Sequence, residues 1–156
     1  MRDQPWAVAY FGDIQLIAAA LIAGIASVID GDTLDIHGKR IRLHGIDAPE
    51  SAQICNRQGR SWRCGQASAA ALDDYLARRP VSCTAMGEDR YERTIGRCTV
   101  GGVDIEAWMV ENGWAMDYAK YSYGEYSGNE QRAKAEQRGI WASEFQPPWE
   151  WRHRNR

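Results

Sequence analysis

Three alternating apolar runs, a helical stretch, two further alternating runs and then more helical segments predict an α+β protein with a mainly β core. Five short strands with a helix inserted after the third suit a five-stranded barrel of the OB-fold type with about three helices. The length, 156 residues, is that of one domain able to bury a single core.

Residues 24–37 read as two strands broken at Asp30-Gly31-Asp32. Residues 40–46 alternate, with Ile41 and Leu43 on one face and Arg40, Arg42 and His44 on the other. Gly38 supplies the positive φ that a tight turn between these runs needs. A Gly38-Lys39 turn sets Asp35 opposite Arg42, and a His37-Gly38 turn shifts the register by two but keeps the faces. In both registers Asp30, Asp32 and Asp47 gather at the far end of the hairpin.

Residues 52–64 read as a loop. Gln66 to Arg79 is helical, with Ala69, Leu72, Tyr75 and Leu76 as its stripe and Pro80 as its stop. Strand-like runs 81–86 and 94–100 flank the turn sequence GEDRYER. Asp104 can cap a helix bearing Ile105, Trp108 and Met109, closed at Gly113. Tyr118 to Gly128 reads as an aromatic loop, and the following polar helix ends at Gly139. The chain therefore divides into an apolar N-terminal segment (1–23), the barrel domain (24–145) and a proline-stiffened basic tail (146–156). A solvated tail is the expectation for Arg152, Arg154 and Arg156.

Hydrophobic residues at 44% and charged residues at 26% exclude wholesale disorder. A net charge of −2 and a pI near 5.9 exclude a strongly basic polyanion binder, so contact with nucleic acid has to be local. The four cysteines form no C-x-x-C pair, which removes the usual zinc spacing. Their even number fits two disulfides in an oxidising compartment. Local pairing favours Cys55–Cys64 and Cys83–Cys98, although sequence leaves three connectivities open. The run Ile14–Ile29 has the length of a signal peptide. It points to a secreted or periplasmic protein, with a membrane tether or a packed arm as the other outcomes.

Carboxylates gathered within a few ångströms repel one another, and a hard divalent cation removes the conflict. Asp and Glu oxygens suit Ca²⁺ or Mg²⁺. Asp32 and Asp47 are the leading ligands, with the backbone carbonyl of Ala48 beside rigid Pro49 as a third and Glu50 close enough to hold a water. Arg42 faces the same group, and arginine fits phosphate oxygens through paired hydrogen bonds. Cation, carboxylate and arginine together are the kit for phosphodiester hydrolysis. A charged hairpin with only weak cross-strand pairing is the plainer alternative.

The stretch VIDGDTLDIHGKRIRLHGIDAPES resembles the signature of the staphylococcal nuclease-like (thermonuclease) family. DRYERTIG resembles that family's second motif, and GIW at Gly139–Trp141 its ending after the last helix. The resemblance spans about residues 25 to 145 with matching element order. It implies the same barrel and Ca²⁺-dependent hydrolysis of DNA and RNA, with Mg²⁺ as the alternative cation. It also implies a nucleic acid partner, single strands preferred, for a monomer with no stable protein partner. Carried over by position, Asp32, Asp47 and the Ala48 carbonyl match the metal ligands. Arg42 and Arg93 match the phosphate-binding arginines, and Glu50 matches the residue usually assigned as general base. Asp30 and Thr33 match residues flanking the metal carboxylates, and Tyr91 lies near the nucleotide. Base stacking falls to the segment Tyr118–Tyr126, with Tyr118 and Tyr121 chosen. Glu92 stands where the family usually has glycine, which strains the backbone if that position needs positive φ. The alternatives are a nucleic-acid-binding module that has lost its chemistry and a disulfide-stapled structural domain.

Overall fold

A computed structural model describes residues 20–155. Strand β1 (Leu21–Asp30) pairs with β2 (Thr33–Ile36), which pairs in turn with β3 (Lys39–Leu43). A short β4 (Ile46–Asp47) and the hairpin β5 (Cys55–Arg57) and β6 (Arg60–Trp62) lead into α1 (Cys64–Leu76). Strands β7 (Pro80–Glu88), β8 (Thr94–Val100) and β9 (Val103–Asp104) follow, then α2 (Ile105–Glu111) and β10 (Met116–Asp117). The chain ends in α3 (Ala119–Ser122), α4 (Ser127–Ala135), a 3₁₀ turn (Gly139–Ala142) and α5 (Pro148–Arg154).

The sheet runs β3-β2-β1-β7-β8, and a parallel pairing of β3 with β8 closes it into a five-stranded barrel. Closure leaves those strands no open edge. The barrel interior is apolar because alternation turns Leu34, Ile36, Ile41, Leu43, Val81 and Val100 inward. Helix α1 lays Leu72 and Leu76 on that core, and α2 adds Ile105 and Met109. A smaller apolar cluster under β5–β6 holds Cys55, Cys64, Met116 and Ile140, with Trp149 against it.

His37 (φ 53°) and Gly38 (φ 81°) form the β2–β3 turn, so the second of the two sequence registers is the one adopted. Two left-handed residues match the twist of the flanking strands. Asp35 consequently faces Arg40, not Arg42, and Arg42 faces Thr33 at the acidic end. Both disulfides have the local pairing expected, Cys55–Cys64 and Cys83–Cys98.

The sequence reading needs four corrections, and one further expectation is left untested. Residues 21–23, assigned to the N-terminal segment, are the start of β1 and pair with β7. The supposed leader upstream of Ala20 lies outside the described residues. Helix α1 starts at Cys64 and stops at Leu76, because Ala77 (φ 48°) and Arg78 (φ 59°) turn left-handed before Pro80. The loop 52–64 contains the β5–β6 hairpin, turned at Gln58-Gly59. Among the described residues five α-helices stand where about three were expected, the additional ones being one-turn α3 in the aromatic loop and α5 in the tail. Among the described residues no helix is long and apolar enough to cross a membrane. Two disulfides are compatible with an extracellular or periplasmic location.

Candidate active site

The acids meet because two backbone crossings are unusually close. A Cβ on Gly31 would lie 2.8 Å from Ala48 Cβ and 2.0 Å from Ser68 Oγ, so the Asp30-Gly31-Asp32 turn can sit against the Asp47–Ala48 segment only with glycine there. A Cβ on Gly65 would lie 1.7 Å from the Glu50 carbonyl oxygen, so the start of α1 packs directly on the Glu50 backbone. The turn holding Glu50 is tied further by its N–H, which donates to Gln53 Oε1 at 3.3 Å.

Asp32 and Asp47 are buried, with 6% and 0% of their surface exposed. Ala48 N–H donates to Asp32 Oδ2 at 2.8 Å, and Thr33 Oγ1 donates to Asp32 Oδ1 at 3.1 Å. Arg42 Nη2 lies 3.3 Å from Asp32 Oδ2 and 3.3 Å from Asp47 Oδ1, so one amino group bridges both carboxylates. Burial raises Asp32, but Arg42 and the hydrogen bonds from Asp30, Ala48 and Thr33 outweigh it and hold the carboxyl below its ordinary value. Burial pushes Asp47 up to about 6, helped by the Asp32 charge and opposed by hydrogen bonds from Arg152 and by the Arg42 charge. Burial and then the Asp32 charge push Asp30 up to about 8. Asp30 is therefore a proton donor to Asp32 at neutral pH, and its Oδ1 also accepts the Asp32 N–H at 3.2 Å.

The cation nearest these acids comes from the chain's end. Arg152 on α5 donates from Nη1 to Asp47 Oδ1 at 2.7 Å and from Nη2 to Asp47 Oδ2 at 2.7 Å. Its Nη1 also reaches Glu50 Oε1 at 2.9 Å. The expected solvated tail is thus a folded helix whose arginine closes on the acids. Its attraction to two carboxylates outweighs the solvation of a free guanidinium.

Arg93 is not joined to the acids in this arrangement. Its Nε donates to Asp89 Oδ2 at 2.7 Å, and its guanidinium lies 5.4 Å from the centre of the Tyr91 ring. Glu92 has φ 62°, so it occupies the left-handed conformation that the usual glycine would accept without strain. Tyr118 and Tyr121 meet edge to face at 5.0 Å. Tyr118 is covered by Trp149 of α5, stacked at 5.3 Å with the planes 5° apart. His44 is half-buried, and its Nε2 lies 3.9 Å from Glu125 Oε2.

Among the described residues no three His, Cys, Asp or Glu side chains converge as a ready metal cluster. What is present is a pair of buried carboxylates with partly exposed Glu50 beside them. Hard oxygen donors of this kind fit a hard cation that keeps part of its water shell. Like-charged buried acids, one of them raised in pKa, are also the electrostatic signature of a site that favours added positive charge.

Comparison with known proteins agrees with the fold and the motifs. The family model described as "Staphylococcal nuclease homologue" matches residues 40–143. The succinoglycan biosynthesis protein ExoI of Rhizobium meliloti is 45% identical over 130 residues, covering 81% of this chain and 68% of that protein. An uncharacterized endonuclease of Escherichia coli O157:H7 is 32% identical over 146 residues, covering 89% of this chain and 90% of its own. The micrococcal nuclease of Shigella flexneri is 32% identical over 145 residues, covering 82% and 78%. With the closed barrel, the acid–arginine constellation and these matches together, the chain belongs to the staphylococcal nuclease homologue family.

Proposed function

We propose that the protein is a Ca²⁺-dependent nuclease that hydrolyses phosphodiester bonds of DNA or RNA. The observation that carries this is the burial of Asp32 and Asp47 on a single Arg42 amino group, with Glu50 partly exposed beside them. Nuclease names among the relatives support the reaction class.

Asp32 and Asp47 are the residues that would hold the cation, with the Ala48 carbonyl as a further oxygen donor. A bound divalent cation supplies Lewis-acid polarisation of the phosphoryl oxygens. Glu50 takes a proton from the attacking water, a role open to a carboxylate that still reaches solvent. Arg42 neutralises the charge that builds at phosphorus, in a buried setting where such a contact is worth more than in water. Arg93 binds the phosphate on its other side. Asp89 fixes it through Nε, which leaves the two amino groups for phosphate oxygens. Asp30 and Thr33 orient Asp32 by hydrogen bonding. Tyr91, Tyr118 and Tyr121 serve the bases, and stacking of this kind suits single strands without sequence preference. Two disulfides support secretion or a periplasmic site of action, and the chain is proposed to act as a monomer.

Incubation of the purified chain with single-stranded DNA, first with Ca²⁺ and then with EGTA, tests the proposal. Cleavage only with Ca²⁺ is expected. Binding of the strand without calcium-dependent cleavage would leave the chain as a binding module. That reading draws on Glu92 at its strained position.

A further inference from the structure

We propose that helix α5 is a built-in occupant of the active site: Arg152 stands in for the divalent cation at Asp47 and Glu50, and Trp149 stands in for a nucleobase on Tyr118. The inference rests on reading these carboxylates as the cation site. Two separate contacts carry it. Arg152 engages both oxygens of Asp47 at 2.7 Å and reaches Glu50 at 2.9 Å, so the lone pairs a hard cation needs are already used. Trp149 lies flat on Tyr118 with the planes 5° apart, which is the geometry a stacked base adopts. One helix of seven residues therefore presents a positive fork and an aromatic plane together, as a nucleotide–cation pair would.

The docking is built so that the helix can leave. Trp149 packs on the smaller apolar cluster, not on the barrel core. A side-chain to backbone hydrogen bond from Gln53 Nε2 to the Gln146 carbonyl at 2.7 Å pins the segment just before the helix. Release of α5 beyond that pin does not require opening of the barrel. A guanidinium and a divalent cation repel each other and seek the same oxygens, so each lowers the other's occupancy. Arg152 is thus a positioning residue: in the resting chain it neutralises the acids, and it raises the cation concentration at which the site fills. A ligand must favour the released state enough to overcome the docked one.

The test is calorimetric titration of Ca²⁺ into the full chain as wild type, Arg152→Met and Arg152→Lys, with melting followed in EGTA and across the titration. Arg152→Met should bind Ca²⁺ at least about tenfold more tightly, the scale of the weakest of the three charge-assisted hydrogen bonds removed with the competitor. Arg152→Lys should fall between. In EGTA, Arg152→Met should melt below wild type, because two carboxylates lose their counter-charge, and Ca²⁺ should close that gap. Equal or weaker Ca²⁺ binding by Arg152→Met, with wild type still binding, overturns the competition and leaves the cation site standing. Absence of Ca²⁺ binding in every chain overturns the cation site and the competition together. Hydrogen exchange on the wild type needs no variant to fold: Ca²⁺ should speed exchange across Pro148–Arg154 while the barrel strands stay protected. Unchanged exchange there overturns the proposal.

Discussion

Arg42 carries two buried carboxylates on one amino group, and that economy explains why the polar face of β3 matters more than its length. Glu50 differs from Asp47 in reaching solvent, so the same acidic chemistry is divided between holding charge and moving a proton. Glu50→Gln should lower kcat by about 10²–10⁴-fold, the usual contribution of a general base, with an unchanged circular dichroism spectrum. A rate near wild type would remove Glu50 from the reaction. Far from this site, Glu106 is fully buried and accepts the Cys98 N–H at 3.0 Å. Burial, then the hydrogen bond and charge of Asp104, raise it well above its ordinary 4.5. The folded chain therefore binds more protons than the unfolded chain between pH 4.5 and the raised value, and stability falls as pH rises through that window. Glu106→Gln keeps an acceptor for Cys98 and removes the titration. It should melt above wild type at pH 8, with the gap closing by about pH 4. A gap independent of pH would show that the carboxyl is not the cause.

At the scale of elements, close packing of short pieces positions the chemistry. Helix α1 begins at Cys64 so that Gly65 can touch the Glu50 carbonyl, and the disulfide from Cys55 holds that start in place. Gly65→Ala should destabilise the fold by about 1–3 kcal/mol, as overpacking does, and should disturb activity through Glu50. Urea denaturation measures the first effect, and a midpoint equal to wild type would mean that the contact relaxes freely. The helical stretches were legible wherever an apolar stripe recurs, as in α1 and α2, because burial of one face drives them. Helices α3 and α5 carry no such stripe. Helix α5 exists because Trp149 finds Tyr118 and Arg152 finds Asp47, partners more than a hundred residues away in the second case. No local pattern could announce it.

For the whole molecule, barrel closure and two crosslinks share the stabilisation. Cys83 and Cys98 face each other across β7 and β8 and close a loop of 15 residues, worth about 3 kcal/mol in chain entropy. Reduction, or Cys83→Ser with Cys98→Ser, should lower stability by roughly 2–4 kcal/mol. Urea midpoints with and without reductant check this, and coincident curves would sink it. The mass of the oxidised chain should be lower by the four hydrogens that two disulfides remove.

The barrel, its strand alternation and the acid–arginine motif were decided by the sequence, and local spacing favoured both cysteine pairings, since each rests on periodicity or on short spacing along the chain. Three matters were left to the tertiary structure. The β2–β3 register depended on which pair of residues could turn left-handed with the twist, and His37-Gly38 answered it. The left-handed backbone at Glu92 followed from the closed turn between Asp89 and Arg93. The counter-ion of Asp47 was chosen by whichever cation packing delivered, and α5 delivered Arg152. Charge pairing between distant segments obeys Coulomb's law in space and not along the chain, which is why these contacts appear only once the barrel has brought its ends together.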